Sequence, residues 1–434
     1  MIKLCRKWYV WQSVVIFLLC TFCYSNSLSN GFMMDDYVLL PAVKSLKWGA
    51  ILTSCLNGFY RPVGAGLIKL IYSLLGSNSI GYHIVNLFLF FIICMLFLFI
   101  ARWLFINSAT YFPSENSLVR GGWGAFISVL FYCVHPINNM IVNYKTASML
   151  AISVICMQIS FMTFLIYIEN RKKICYSLSI FFYFCSIFSH EICSILPIYL
   201  FMAAYYLRGQ RTKGVLSLFW PYLLCFIFCT SIVLHFSCRL IWWWGIFKIP
   251  FGIYLVTLSK LFQWYIFKLF FPHDLLFVWD VPITGDHMLV RYAWLIFFIG
   301  FLAGVYFLFT KLRKLFEIFC LTFFVVGFIP ICIAAFTYVA LLHTAFIEPH
   351  WFYFSSLGIF MLWANFIIFL GRSWNPWPRA IMLCGLILIL VIMTRQSNTV
   401  WKNNETYCKY WIKLNHYNAV PSEYLRMETT PKGF

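Results

Sequence analysis

Acidic side chains are scarce in this sequence. Only 13 of its 434 residues are Asp or Glu, charged residues of both signs make up 10%, and hydrophobic residues make up 63%. A soluble domain carries about 25% charged residues, and a globule of this mass has too small an interior for so many apolar side chains. A soluble enzyme and a disordered chain are therefore excluded. Neither an internal repeat, a low-complexity linker nor a Gly-rich nucleotide loop is present. The 17 cysteines lie mostly inside apolar runs, where a thiol behaves as a small hydrophobe, so neither zinc nor a disulfide is expected.

Basic residues are what is left. The 32 Lys and Arg give a formal net charge of +19, but they sit in short clusters between apolar runs, such as Arg171-Lys172-Lys173 and Lys311-Leu312-Arg313-Lys314. Such clusters orient membrane proteins, because cytoplasmic loops collect Lys and Arg, and a nucleic-acid partner is not expected. Eleven apolar runs approach the ~20 residues that span a bilayer, near 8–25, 80–106, 122–136, 146–168, 174–189, 191–207, 214–236, 291–310, 315–336, 351–371 and 379–394. The expected fold is thus an all-α polytopic membrane protein. The first run follows Lys3, Arg6 and Lys7 without a small-residue cleavage site and reads as a retained helix.

With the N-terminus inside, the short inner loops carry twelve Lys/Arg and the short outer loops only Lys145. Segments 26–79, 237–290 and 395–434 are then extracytoplasmic. Ten of the 13 acids also fall outside, all but Glu115, Glu169 and Glu317. Acids barely influence insertion, so their bias points to an outer-face active site. Segments 51–75 and 250–271 are apolar but punctuated by Lys69, Lys260, Gln263 and Lys268, with aromatic company such as Trp242-Trp243-Trp244. They read as interfacial helices, with a re-entrant or further span at 250–271 as the alternative.

Polar motifs gather on that outer side. Asp35-Asp36 follows the first run; adjacent carboxylates at a membrane surface need a cation, a proton or a substrate to repay their repulsion, unless they only cap the helix beyond them. Tyr60-Arg61-Pro62 places a guanidinium fork beside a helix-starting proline, suited to a phosphate or to snorkelling at headgroups. Gly81-Tyr82-His83-Ile84-Val85-Asn86, His135-Pro136, Ser189-His190-Glu191 and Glu348-Pro349-His350-Trp351-Phe352-Tyr353 add polar groups at outer helix ends. Such groups serve either function or helix–helix hydrogen bonds. The stretch Phe271-Pro272-His273-Asp274 through Asp280 and Asp286-His287 reads as a solvated loop or as part of the same face.

Taken in order, these elements resemble the polyprenyl-phosphate-sugar-dependent GT-C glycosyltransferases. Asp-Asp, Tyr-Arg-Pro, Gly-Tyr-His-x-Val-Asn and His-Pro-Ile are followed by Ser189-x-Glu191-x5-Pro197, Leu269-Phe270-Phe271-Pro272, Tyr353-x-x-Ser356-Leu357-Gly358 and Arg395-x5-Trp401-x9-Trp411. The set is most similar to the membrane domain of the transmembrane O-mannosyltransferase-like proteins that carry TPR repeats, and covers about residues 25–420. The sequence departs from that pattern in having His190 before Glu191 and Pro349-His350-Trp351 before Tyr353, and in lacking the acidic and Gly-Arg positions after His135. No repeats lie within these residues.

The resemblance implies a GT-C-like transmembrane domain over 1–394 and a short extracytoplasmic tail over 395–434. It further implies inverting transfer of a hexose, mannose among the choices, from a polyprenyl-phosphate donor to a protein, lipid or glycan acceptor. An inverting displacement wants a carboxylate base, for which Asp35 and Asp36 are the candidates; the alternative for the pair is to hold a divalent cation. Arg61 is the first candidate for the donor phosphate, with His83, Lys145, His190, Glu191, His350 and Tyr353 around the donor. No other cofactor is expected. The expected location is a bacterial inner membrane, or the ER membrane in a eukaryote. A flippase of lipid-linked sugars and an inactive assembly protein of the same fold are the competing readings.

Overall fold

A computed structural model describes residues 2–108, 117–207, 216–237, 249–276, 279–282, 288–307, 310, 315–336, 344–370, 376–414 and 425. Trp242–Trp244, Asp286 and His287 lie outside these residues. The protein is an all-α polytopic membrane protein, and each of the eleven apolar runs contains a helix. Among the described residues five helices are long and apolar enough to cross a membrane: Tyr9–Ser27, Ser79–Asn107, Lys145–Asn170, Phe316–Ala334 and Ala380–Val400. Gly121–Val134 and Pro136–Asn143 form a pair bent by 62° that makes a sixth when taken as one span. The bend is chemical: Pro136 has no N–H and pushes the preceding residue out of the helical region. His135 accordingly sits extended, its Nδ1 accepting from Ile137 N at 3.1 Å and its Nε2 meeting the Leu269 carbonyl at 2.9 Å.

The helices that build the site are α1 (Ile2–Tyr24), α2 (Asp36–Ser45), α3 (Pro62–Leu75), α4 (Ser79–Ser108), α5 (Ser117–Val134), α6 (Met140–Asn143), α7 (Ser148–Asn170) and α8 (Lys173–Ile187). They are followed in the chain by α9 (Leu196–Leu207), α10 (Trp220–Phe236), α11 (Phe251–Phe270), α12 (Met288–Phe307), α13 (Leu315–Val326), α14 (Ile331–Ala334), α15 (Ser356–Leu370), α16 (Pro376–Val400) and α17 (Asn404–Leu414). A continuous apolar core joins α1, α4, α5, α7, α13 and α15. Within it the helical backbone satisfies its own polar groups, as lipid requires.

The segment 51–75 departs from the expected interfacial helix. Its helix starts only at Pro62, the proline supplying the first helical φ. Before it, Asn57 and Gly58 turn the chain at φ of +49° and +79°, beneath an isolated bridge between Leu56 and Phe59. Segment 250–271 forms one continuous helix, α11. An unanticipated ribbon pairs β1 (Trp279–Pro282) antiparallel with β2 (Thr344–Ile347), Trp279 facing Ile347, and so leads the chain directly into Glu348.

At one end of the bundle the ends of α1, α5 and α16 are pinned together. Asn398 Nδ2 donates to Cys23 O and Asn26 Oδ1, Asn398 Oδ1 accepts from Asn143 Nδ2 at 2.7 Å, and Thr394 Oγ1 donates to Val134 O at 2.6 Å. Residue 394 therefore falls inside a helix that runs on to Val400, and beyond it Trp401, Tyr407, Cys408 and Trp411 are buried.

Candidate active site

The two aspartates have different surroundings. Asp36 is fully buried; its Oδ2 accepts from Met33 N at 3.1 Å and its Oδ1 from Thr146 N at 3.0 Å, 110 residues away. Burial pushes its carboxyl up to about 6 from 3.8, against the opposing effect of the two amides and Lys145. Asp35 is half-buried and precedes α2 without capping it through its side chain. The simple helix-cap reading thus fails for both. Asp36 acts between Met33 and Thr146, and only Asp35 retains exposure. Two amide donors on Asp36, with an ammonium beside it, make poor company for a divalent cation.

The turn that presents the pair is strained. Met34 adopts φ +45°, which costs a residue with a Cβ about 1–2 kcal/mol. Both Met33 and Met34 are buried, and Met34 N donates to Asn404 Oδ1 at 3.0 Å.

Beside Asp36 lies a buried polar chain. Lys145 Nζ is 3.3 Å from His83 Nδ1, His83 Nε2 is 3.2 Å from Ser27 Oγ, and Ser27 Oγ donates to Tyr24 O. An ammonium can only donate, so His83 accepts at Nδ1 and carries its proton on Nε2. Asn86, one turn along α4, donates to the carbonyls of Tyr144 and Lys145. This fixes the turn whose Thr146 amide meets Asp36. His83, Asn86 and Lys145 are fully buried.

A second cluster forms where α3 meets the end of α8. Val63 N donates to Phe188 O at 3.1 Å. A Cβ on Gly64 would stand 3.0 Å from Met149 Cε and 3.2 Å from Ser189 O, so the glycine permits the approach. Arg61 Nε and Nη2 each reach one oxygen of Glu191 at 2.8 Å, and the guanidinium lies 4.3 Å from the Phe59 ring centroid. His190 Nδ1 accepts from Ile192 N at 3.4 Å, His350 Nε2 lies 3.0 Å from Glu348 Oε2, and the two imidazoles stand 5.9 Å apart. Tyr353 is buried behind them, its ring centroid 6.3 Å from that of His350. Thr146, which holds Asp36, and Met149, which packs on Gly64, are three residues apart, so one short stretch joins both clusters.

Sequence reasoning missed Thr146, Asn398 and Asn404, since nothing local to an Asn or Thr announces a partner 110 to 375 residues away. It also missed the one thiol group with metal-ligand spacing among the described residues, Cys20, Cys94 and Cys133, whose Sγ atoms lie within 4.8 Å of one another. The sequon Asn404-Glu405-Thr406 is sterically closed, because Asn404 is fully buried against Met34.

No family model matches the chain. Among curated proteins, "Protein O-mannosyl-transferase Tmtc3" of Drosophila melanogaster is 27% identical over 173 residues, which is 35% of this chain and 19% of that protein. The chain thus spans about a fifth of that relative's length, and the similarity bears out the resemblance carried by the ordered motifs. Among solved structures, the arabinosyltransferase EmbB from Mycobacterium smegmatis covers 90% of this chain and 40% of its own, at 12% identity and a TM-score of 0.37.

Proposed function

We propose that this protein is an inverting membrane glycosyltransferase that moves a hexose from a polyprenyl-phosphate donor to an extracytoplasmic acceptor. The observation that carries the reading is the gathering, at one end of the helix bundle, of motifs spread from Asp35 to Tyr353. Asp36, Lys145 and His83 meet in one cluster, and Arg61, Glu191, His190 and His350 in the adjoining one.

Asp35 is the base. It takes the proton of the acceptor hydroxyl as that oxygen bonds to the anomeric carbon, and the anomeric carbon–oxygen bond to phosphate breaks on the opposite face, releasing polyprenyl phosphate. Asp36, saturated by Met33 and Thr146, positions Asp35, and His83 and Lys145 support it from beneath. A divalent cation has no role at Asp36. Arg61, oriented by Glu191, meets the single charge of the donor phosphodiester, with His190 and His350 beside it and Tyr353 packing His350 in place. The twelve-to-one distribution of Lys/Arg in short loops supports an extracytoplasmic site, because cytoplasmic loops collect those residues.

Purified protein incubated with a synthetic polyprenyl-phosphate mannose or glucose and extracted acceptor should release polyprenyl phosphate, with the sugar inverted at its anomeric carbon in the product. Movement of intact donor across vesicles without its cleavage would instead identify a flippase.

A further inference from the structure

The residues after 394 bind back onto the turn that carries the aspartates. Gly31 N donates to Lys402 O at 2.8 Å, Asn30 Nδ2 to Asn398 O at 3.2 Å, and Met34 N to Asn404 Oδ1 at 3.0 Å. The last bond falls on the residue with positive φ immediately before Asp35. Asn403 Oδ1 caps helix α17 by accepting from Thr406 N at 2.8 Å, and Asn404 Oδ1 accepts from Cys408 Sγ at 3.7 Å as well as from Met34 N. The Asn404 carboxamide is fully buried against the turn, while Trp401, Tyr407 and Trp411 anchor the segment in the core. A left-handed residue other than glycine persists only where its surroundings over-determine it. Here Asp36 on the Met33 amide and Asn404 on the Met34 amide supply that constraint from two directions.

We infer that the C-terminal helix α17 is a working part of the active site, and that Asn404 is a positioning residue that sets the aim of Asp35 through the Met34 amide. The inference rests on Asp35 being the base, and names a part of the site that the ordered motifs leave out. A base moved by about 1 Å loses turnover without losing the donor's binding contacts.

The test compares Asn404→Ala, which removes the acceptor, with Asn404→Asp, which keeps an oxygen for Met34 N at the start of a helix, where negative charge is tolerated. Asn404→Ser, too short to reach, replaces the alanine variant if that protein does not accumulate. Hydrogen exchange of the 30–37 backbone is followed in the full-length protein alongside transfer kinetics. The expected result is faster exchange confined to 30–37 and a kcat about ten- to a hundredfold lower at unchanged donor KM for the alanine or serine variant, with Asn404→Asp near the parent in both. Unchanged exchange overturns the inference whatever the reaction. Faster exchange with parental kcat, or an aspartate variant as impaired as the alanine, overturns the positioning role. Parent protein without transferase activity defeats the proposed reaction separately, and exchange still reports on the bond from Met34 N to Asn404 Oδ1.

Discussion

Arg61 and Glu191, 130 residues apart, form a two-pronged ion pair with both nitrogen–oxygen distances at 2.8 Å. Their side chains are 16% and 33% exposed, so neither partner is well hydrated when alone. Arg61→Gln and Glu191→Gln should each lower stability by about 1–3 kcal/mol, less than a fully buried pair would lose. The double variant should recover part of that loss, because no charge is stranded. Transfer should not recover with it, since the phosphate's cation is gone. Thermal midpoints in detergent and donor KM for the three variants check this. Parental activity in the double variant would remove Arg61 from donor binding.

The two glycines of α3 should respond in opposite ways. At Gly64 a methyl meets Met149 and the Ser189 carbonyl at 3.0–3.2 Å, whereas at Gly66 nothing lies within 4 Å. Gly64→Ala should cost about 1–3 kcal/mol by overpacking and lower activity by separating Arg61 from Glu191. Gly66→Ala should be neutral or stabilising, as alanine favours a helix by about 1 kcal/mol over glycine. Melting curves of both variants decide it.

Asp36 gives stability a defined pH slope. Its carboxyl is pushed up to about 6 from 3.8 by burial, so the folded protein holds this proton more tightly than the unfolded chain. The stabilisation is fully present below about pH 4 and is lost as pH rises through about 6. Asp36→Asn stays neutral throughout, so the difference in melting temperature between parent and variant should change across this window and level off above it. A difference independent of pH would show that Asp36 is ionised throughout in the fold.

Orientation is tested at exposed lysines. Lys402→Cys and Lys47→Cys should react with a membrane-impermeant thiol reagent in intact cells, and Lys172→Cys only after permeabilisation. The reverse pattern would place the aspartates on the cytoplasmic side.

Much of the site was legible as an ordered list of motifs, because each carries a local cause: Pro62 starts a helix, Pro136 breaks one, and His83 and Asn86 share a helix face one turn apart. What the list does not contain is pairing. Glu191 reads as a lone boundary acid until α3 is packed on α7 and on the turn after α8 through Gly64. The difference between Asp35 and Asp36 depends on a backbone amide at Thr146, and backbone donors leave no trace in residue identity. In a chain this apolar, hydrophobicity does not separate a packed tail from a solvated one, so the 395–414 segment read as a polar tail although it buries Trp401 and Trp411.

The most direct measurement is turnover of a polyprenyl-phosphate hexose by purified Asp35→Asn and Asp36→Asn proteins beside the parent. With Asp35 as the base, its asparagine variant should fold normally, bind donor with unchanged KM and lose about 10²–10⁴-fold in kcat. Asp36→Asn keeps an oxygen for one amide but places an NH2 against the other, so it should lose stability together with activity. Full turnover by a well-folded Asp35→Asn protein would contradict a glycosyltransferase built around Asp35.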